Sequence, residues 1–196
     1  MKKTSKALLL ALCAVLLVAA SVMGTMAYLT STDKVENTFT VGKVAITLDE
    51  AKVDTAGEPI DGADRVDGNT YKLMPGHTYT KDPTVHVEAG SENSWIFVKV
   101  ENGISAIETT ETGKTIAEQI KANGWTELTG VPGVYYKQYT SSTTVTNLEV
   151  FNSFEINGNV STWGSNADAK VIVTAYAIQA DGFTTPDAAW SALNKA

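Results

Sequence analysis

Two histidines, His77 and His86, lie nine residues apart on either side of Lys81, Asp82 and Pro83. A hairpin across that segment would bring the two imidazoles together, and Glu88 or Glu92 would be the nearest third ligand for a zinc ion. The chain has no His-Glu-x-x-His pattern to set two histidines on one helical face. Isolated histidines on a β surface are usually solvated, so no metal ligand is assigned. Asp61, Asp64 and Asp67 recur every third residue beside Gly68 and Asn69. The EF-hand calcium loop has oxygen ligands at every second position and a closing glutamate, neither of which holds here, so these acids are read as a solvated loop. There is no Gly-x-Ser-x-Gly elbow, phosphate loop or dinucleotide fingerprint. The expectation is therefore a protein with no catalytic residue and no cofactor. Trp95, Trp125, Trp163, Tyr135, Tyr136 and Tyr139 would suit sugar stacking if exposed, but aromatics on alternating strands more often pair in a core.

One reaction is written into the N-terminus, and the chain would be its substrate. Lys2, Lys3 and Lys6 precede an apolar stretch, residues 7–23, interrupted only by Cys13 and Ser21. A basic segment followed by an apolar one is the layout of a secretory signal peptide. Thr25 and Ala27 are the small residues a signal peptidase requires three and one positions before its cut, so cleavage is expected between Ala27 and Tyr28. The apolar stretch is at the short end of a membrane span and no basic cluster follows it, so no stable membrane insertion is expected after cleavage. Cys13 is the only cysteine and lies within the segment to be removed, with Leu12 rather than a small residue before it, which argues against lipidation. Losing residues 1–27 removes three lysines and no acid, and takes the formal charge from −7 to −10. That balance opposes nucleic acid and anionic lipid as partners. Residues 28–196 are enough for one domain with a real core and no disulfide.

The elements that must carry these residues read as mainly β. Threonine, valine and glycine are frequent, and short apolar alternations are bounded by Gly, Pro, Asn and Asp, the pattern of a jelly-roll-like β-sandwich. Between Val35 and Leu48, Phe39 and Val41 hold one phase and Val44, Ile46 and Leu48 the other, with a bulge or bend at Gly42. Residues 49–69 carry seven acids against Lys52 and Arg65 and predict a long exposed loop or poorly paired hairpin. Strands are predicted near 71–74, 84–88, 95–101, 134–139, 143–156 (broken) and 170–180, the last placed centrally because it is the most apolar. Two short helices interrupt them. Thr115 with Glu118 forms a capping box and Gly124 suits the position after the C-cap, while Thr185 caps a second helix that opens on Pro186 and buries Ala189, Trp190 and Leu193.

Several segments together resemble one family. The run from Gly24 through Ala27, Tyr28, Leu29 and Thr30 to Asp33, then Asn37-Thr-Phe-Thr-Val-Gly42 with Val44, Ile46 and Leu48, is similar to the start of secreted proteins processed by the ER-type signal peptidase SipW, the TasA and camelysin proteins of Gram-positive bacteria. Leu73-Met-Pro-Gly76 with Lys81-Asp-Pro83, Val85 and Val87 looks like the family's turn and following strand, and Ala175-Tyr-Ala-Ile-Gln-Ala180 with Gly182, Phe183 and Ala188-Ala-Trp190 is similar to its C-terminal ending. The resemblance implies a sandwich fold and a role in extracellular fibres of the biofilm matrix or cell surface, formed by self-association after a dedicated signal peptidase has acted. Two other classes stand beside it: a camelysin-like surface metallopeptidase, and a monomeric adhesin that binds glycan or protein. For assembly, residues 28–41 are the candidate donated strand. Leu29, Val35, Phe39 and Val41 are the apolar anchors of one alternating phase, and an ordinary first strand paired within its own sheet is the competing reading.

Overall fold

The computed structural model describes residues 3–29, 42–161, 163 and 169–195. The chain divides into two units, residues 1–40 and 41–196. In the first, α1 (Lys3–Leu29) continues through Ala27 and Tyr28. Among the described residues no helix is long and apolar enough to cross a membrane.

The second unit is mainly β, as the alternation predicts. Its strands are β1 (Ile46–Asp49), β2 (Thr78–Thr80), β3 (Thr84–Val87), β4 (Ser94–Asn102), β5 (Thr126–Glu127), β6 (Val134–Tyr139), β7 (Asn147–Glu149), β8 (Ser153–Glu155) and β9 (Val171–Gln179). They form antiparallel sheets of order β1-β3-β7, β2-β8 and β5-β6-β4-β9.

The central strand β4 explains the layering. Its even-numbered residues Ile96, Val98 and Val100 meet Val85, Val87 and Leu148 of the three-stranded sheet in the main core, so two sheets pack face to face. Its odd-numbered residues Trp95 and Phe97 point the other way, into a second cluster with Val134, Leu128 and Ala189. Helix α3 (Pro186–Leu193) covers that second face, with the Trp190 ring 5.3 Å from Phe97 and 5.4 Å from Tyr176. Both helix starts follow from their caps. Thr115 Oγ1 accepts from Glu118 N and the Glu118 carboxylate reaches back to Thr115 N, opening α2 (Ile116–Ala122); Thr185 Oγ1 accepts from Ala188 N ahead of α3.

Two strand expectations need correction. The segment 170–180 is strand β9, but among the described residues it lies at the sheet edge and β4 is interior. Its apolarity comes from having one face covered along its length and the other covered towards its C-terminal end, beyond the exposed Ile172 and Thr174. Val171, Val173, Ala175 and Ala177 pack on the main core, and Tyr176 and Ile178 pack on the α3 cluster, so an edge strand reads like a central one. Residues 71–74 form no ladder. The Tyr79 hydroxyl accepts from Met74 N at 2.7 Å and donates to Lys72 O at 2.8 Å, and this side-chain staple stands where strand pairing was expected. Pairing resumes at β2, after the turn at Gly76.

Candidate functional site

The side of the sandwich where β1 and β9 approach each other carries a cleft of about 760 Å³. Each of these strands is paired on one side only among the described residues, β1 with β3 and β9 with β4. Leu48, Tyr71, Leu73, Phe154, Trp163 and Val173 supply apolar wall, and Glu50, Asn69, Lys72 and Lys81 supply polar groups. Behind the wall Tyr79 is fully buried, stacked on Phe154 at 4.9 Å and edge-on to Tyr71 at 5.8 Å. Burial, with the Glu50 charge adding to it, pushes the Tyr71 phenol well above its ordinary value of 10.0. It stays a neutral donor, bonded to Thr80 O at 3.0 Å.

The segment 49–69 is a poorly paired hairpin, closed by the bridges Glu50–Val66 and Val53–Pro59. It is not uniformly solvated. Glu50 is 3% exposed and pairs with Lys81, which is 8% exposed. Asn69 donates to Glu50 Oε1 at 2.9 Å and to Ala51 O at 2.8 Å, and its Oδ1 accepts from Val53 N at 3.0 Å. These contacts leave one consistent orientation for the amide. Asp82, next to Lys81, accepts from Ala51 N at 2.6 Å and from Arg65 Nη1 at 2.8 Å, which ties the hairpin to the start of β3. Sequence reading missed Glu50, Asn69 and Lys81 as a group. One signal was present: Glu50 continues the inward phase of Val44, Ile46 and Leu48.

The two histidines keep separate company. His77 Nε2 bonds Ala56 O at 2.9 Å and its ring lies 4.6 Å from Tyr79, whereas His86 bonds Asp49 Oδ1 at 2.8 Å and Asn147 Oδ1 at 2.9 Å. Among the described residues no three His, Cys, Asp or Glu side chains are grouped to hold a metal ion. Asp61, Asp64 and Asp67 are exposed. Trp95, Trp125, Tyr135 and Tyr139 are core residues, and their indole N–H groups are used internally, Trp95 on Phe183 O and Trp125 on Glu149 O. Trp163 alone of the three tryptophans singled out for stacking lines the cleft. Ala27, Tyr28 and Leu29 lie in α1 in the uncut chain, and Val35, Phe39 and Val41 lie outside the described residues.

His86 gives a pH prediction. Burial works against its charge, but both ring nitrogens face oxygen acceptors, on Asn147 and Asp49, and together these raise its pKa above the ordinary 6.5. Burial likewise works against the Asp49 charge, and hydrogen bonds from Arg65 and His86 overcome it, lowering that carboxyl below 3.8. A raised histidine stabilises fully below 6.5 and loses its contribution as pH climbs through the folded value. A lowered aspartate stabilises above 3.8 and loses its contribution as pH falls through its folded value. The pair therefore contributes most between those two ordinary values. His86→Gln should lower Tm more at about pH 5.5 than at about pH 8.5 in thermal melts. An equal loss at both values would show that the imidazolium is not what holds Asp49.

Comparison with protein-family models, curated proteins and solved structures finds no match to this chain.

Proposed function

We propose that this chain is a secreted structural subunit that assembles into extracellular fibres of a Gram-positive biofilm matrix or cell surface, as its resemblance to the TasA and camelysin proteins implies. The observation that carries the reading is the cleft between β1 and β9. An edge strand presents a row of N–H and C=O groups that an extended segment of another chain can pair with, while alternate side chains enter apolar pockets. Strand β9 offers nine residues of such an edge beside an apolar wall. The donated segment is residues 28–41, freed at its start by cleavage between Ala27 and Tyr28, with Leu29, Val35, Phe39 and Val41 as anchors. Export depends on an ER-type signal peptidase, and the working form carries no cofactor.

Secreted protein should begin at Tyr28 by N-terminal sequencing. Deleting residues 28–34 should leave a folded, soluble monomer by circular dichroism and size-exclusion chromatography. Val35→Asp or Phe39→Asp should shorten fibres in negative-stain micrographs more than Thr32→Asp, whose side chain has the opposite phase. Fibres of normal length from the deletion variant would exclude strand donation by this segment.

A further inference from the structure

The hydrogen-bond pattern around Glu50 joins an amine and a carboxamide on one carboxylate. Lys81 Nζ pairs with Glu50 Oε2, and Asn69 Nδ2 donates to Glu50 Oε1 at 2.9 Å. The two lysine and glutamate side chains are 10% and 5% exposed. The surrounding chain fixes all three residues. Glu50 is bridged to Val66 in both directions at 2.8 Å, Asn69 is held by Ala51 O and Val53 N, and Lys81 N donates to Asn152 O at 3.1 Å.

We propose that Lys81 and Asn69 are joined by an intramolecular isopeptide bond formed autocatalytically, with Glu50 carrying the protons. In the first step the Lys81 ammonium passes one proton to the Glu50 carboxylate it faces. The freed Lys81 amine attacks Asn69 Cγ, forming a C–N bond and driving the carbonyl electron pair onto Oδ1. The Val53 N–H, 3.0 Å from Oδ1, stabilises that developing oxyanion. Glu50 Oε1 already faces Nδ2, the leaving nitrogen, and gives it the proton taken from Lys81. The Cγ–Nδ2 bond breaks and ammonia departs. Glu50 then takes one proton from the new amide nitrogen and returns it to solvent as ammonium leaves. One ammonium and one carboxamide become one secondary amide and one ammonium ion, with no change of oxidation state and no further reactant. Glu50, Asn69 and Lys81 all line the cleft, which supplies the exit. Holding amine and amide on neighbouring oxygens of a fixed carboxylate provides the proximity that makes such an aminolysis feasible without an activating group.

This inference stands apart from fibre assembly, since the bond lies within one chain. The test is the intact mass of the full-length gene product purified from its producing cells, with tandem mass spectrometry of a tryptic digest. The expected mass is that of the processed chain less one ammonia, with a branched peptide linking Asn69 to Lys81 and no cleavage after Lys81. Glu50→Gln and Lys81→Arg should restore the full mass, and Asn69→Asp should lose water in place of ammonia. A wild-type chain of full mass that trypsin cuts after Lys81 would overturn the proposal. So would an ammonia loss that persists in Lys81→Arg, because it would place the reaction at another residue.

Discussion

Phe97→Ala should cost about 3–5 kcal/mol of unfolding free energy, the usual range for emptying a phenylalanine site in a core. Phe97 is completely buried in the central strand β4, on the face that α3 covers. Its ring lies 5.3 Å from Trp190 and 6.3 Å from Tyr136. The cavity would open between a sheet and a helix of only eight residues that docks through Ala189, Trp190 and Leu193. Against a typical total stability of about 5–15 kcal/mol, such a loss leaves a marginal fold. Urea denaturation followed by tryptophan fluorescence reads this directly, since Trp95 and Trp190 report on the same cluster. The control is Ile172→Ala on edge strand β9, where the side chain is 45% exposed and a change of about 1 kcal/mol or less is expected. Equal losses at the two positions would mean that α3 does not seal the sheet.

Gly57→Ala is expected to cost about 3 kcal/mol from strain and overpacking together. Gly57 has φ +84°, and a Cβ there would sit 2.7 Å from Tyr79 Cδ1 and 2.9 Å from Tyr79 Cα. One of those contacts is backbone, and the ring itself has no room to swing. Tyr79 is stacked on Phe154, met edge-on by Tyr71 and His77, and bonded through its hydroxyl to Lys72 and Met74. Gly57 O also accepts from Thr80 N at 3.2 Å, so the disturbance would reach the residue that precedes Lys81. Gly62→Ala separates the two causes. Its φ is +70° but nothing lies within 4 Å of the added Cβ, so only the conformational cost of about 1 kcal/mol applies. Matching Tm losses for the two variants would remove the steric part of the argument.

The loss of the Glu50–Lys81 pair would have a different character. Removing one partner strands a buried charge, whereas removing both leaves a cavity that apolar residues could fill. The hairpin 49–69 thus has an anchored interior beneath an acidic exterior. Asp54 shapes its tip by accepting from Ala56 N and Glu58 N, a local turn that any solvated aspartate can make.

Features that depend on neighbours in the chain were legible from the residues. The Thr115–Glu118 capping box, Gly124 at φ +81° beyond α2, and the Thr185-Pro186 start of α3 are short-range hydrogen bonds and backbone preferences, complete within a few residues. Alternation found β3, β4, β6 and β9 nearly to their ends and the break between β7 and β8, because side-chain phase is a property of one strand. Tertiary structure alone decided what lies beside each strand. The apolarity of 170–180 records one covered face and a second covered at its C-terminal end, but edge or centre depends on hydrogen bonding in the sheet plane, which no side-chain pattern encodes. The same holds for charge. Glu50 looked like one acid among seven, and it is buried because residues 31 positions away return Lys81 to meet it. Asn69 closes that group through contacts that span the hairpin, and the sequence contains all three residues with no spacing that joins them. Composition set the fold class because burial is paid residue by residue; the cleft and its carboxylate exist only where distant segments are brought to one place.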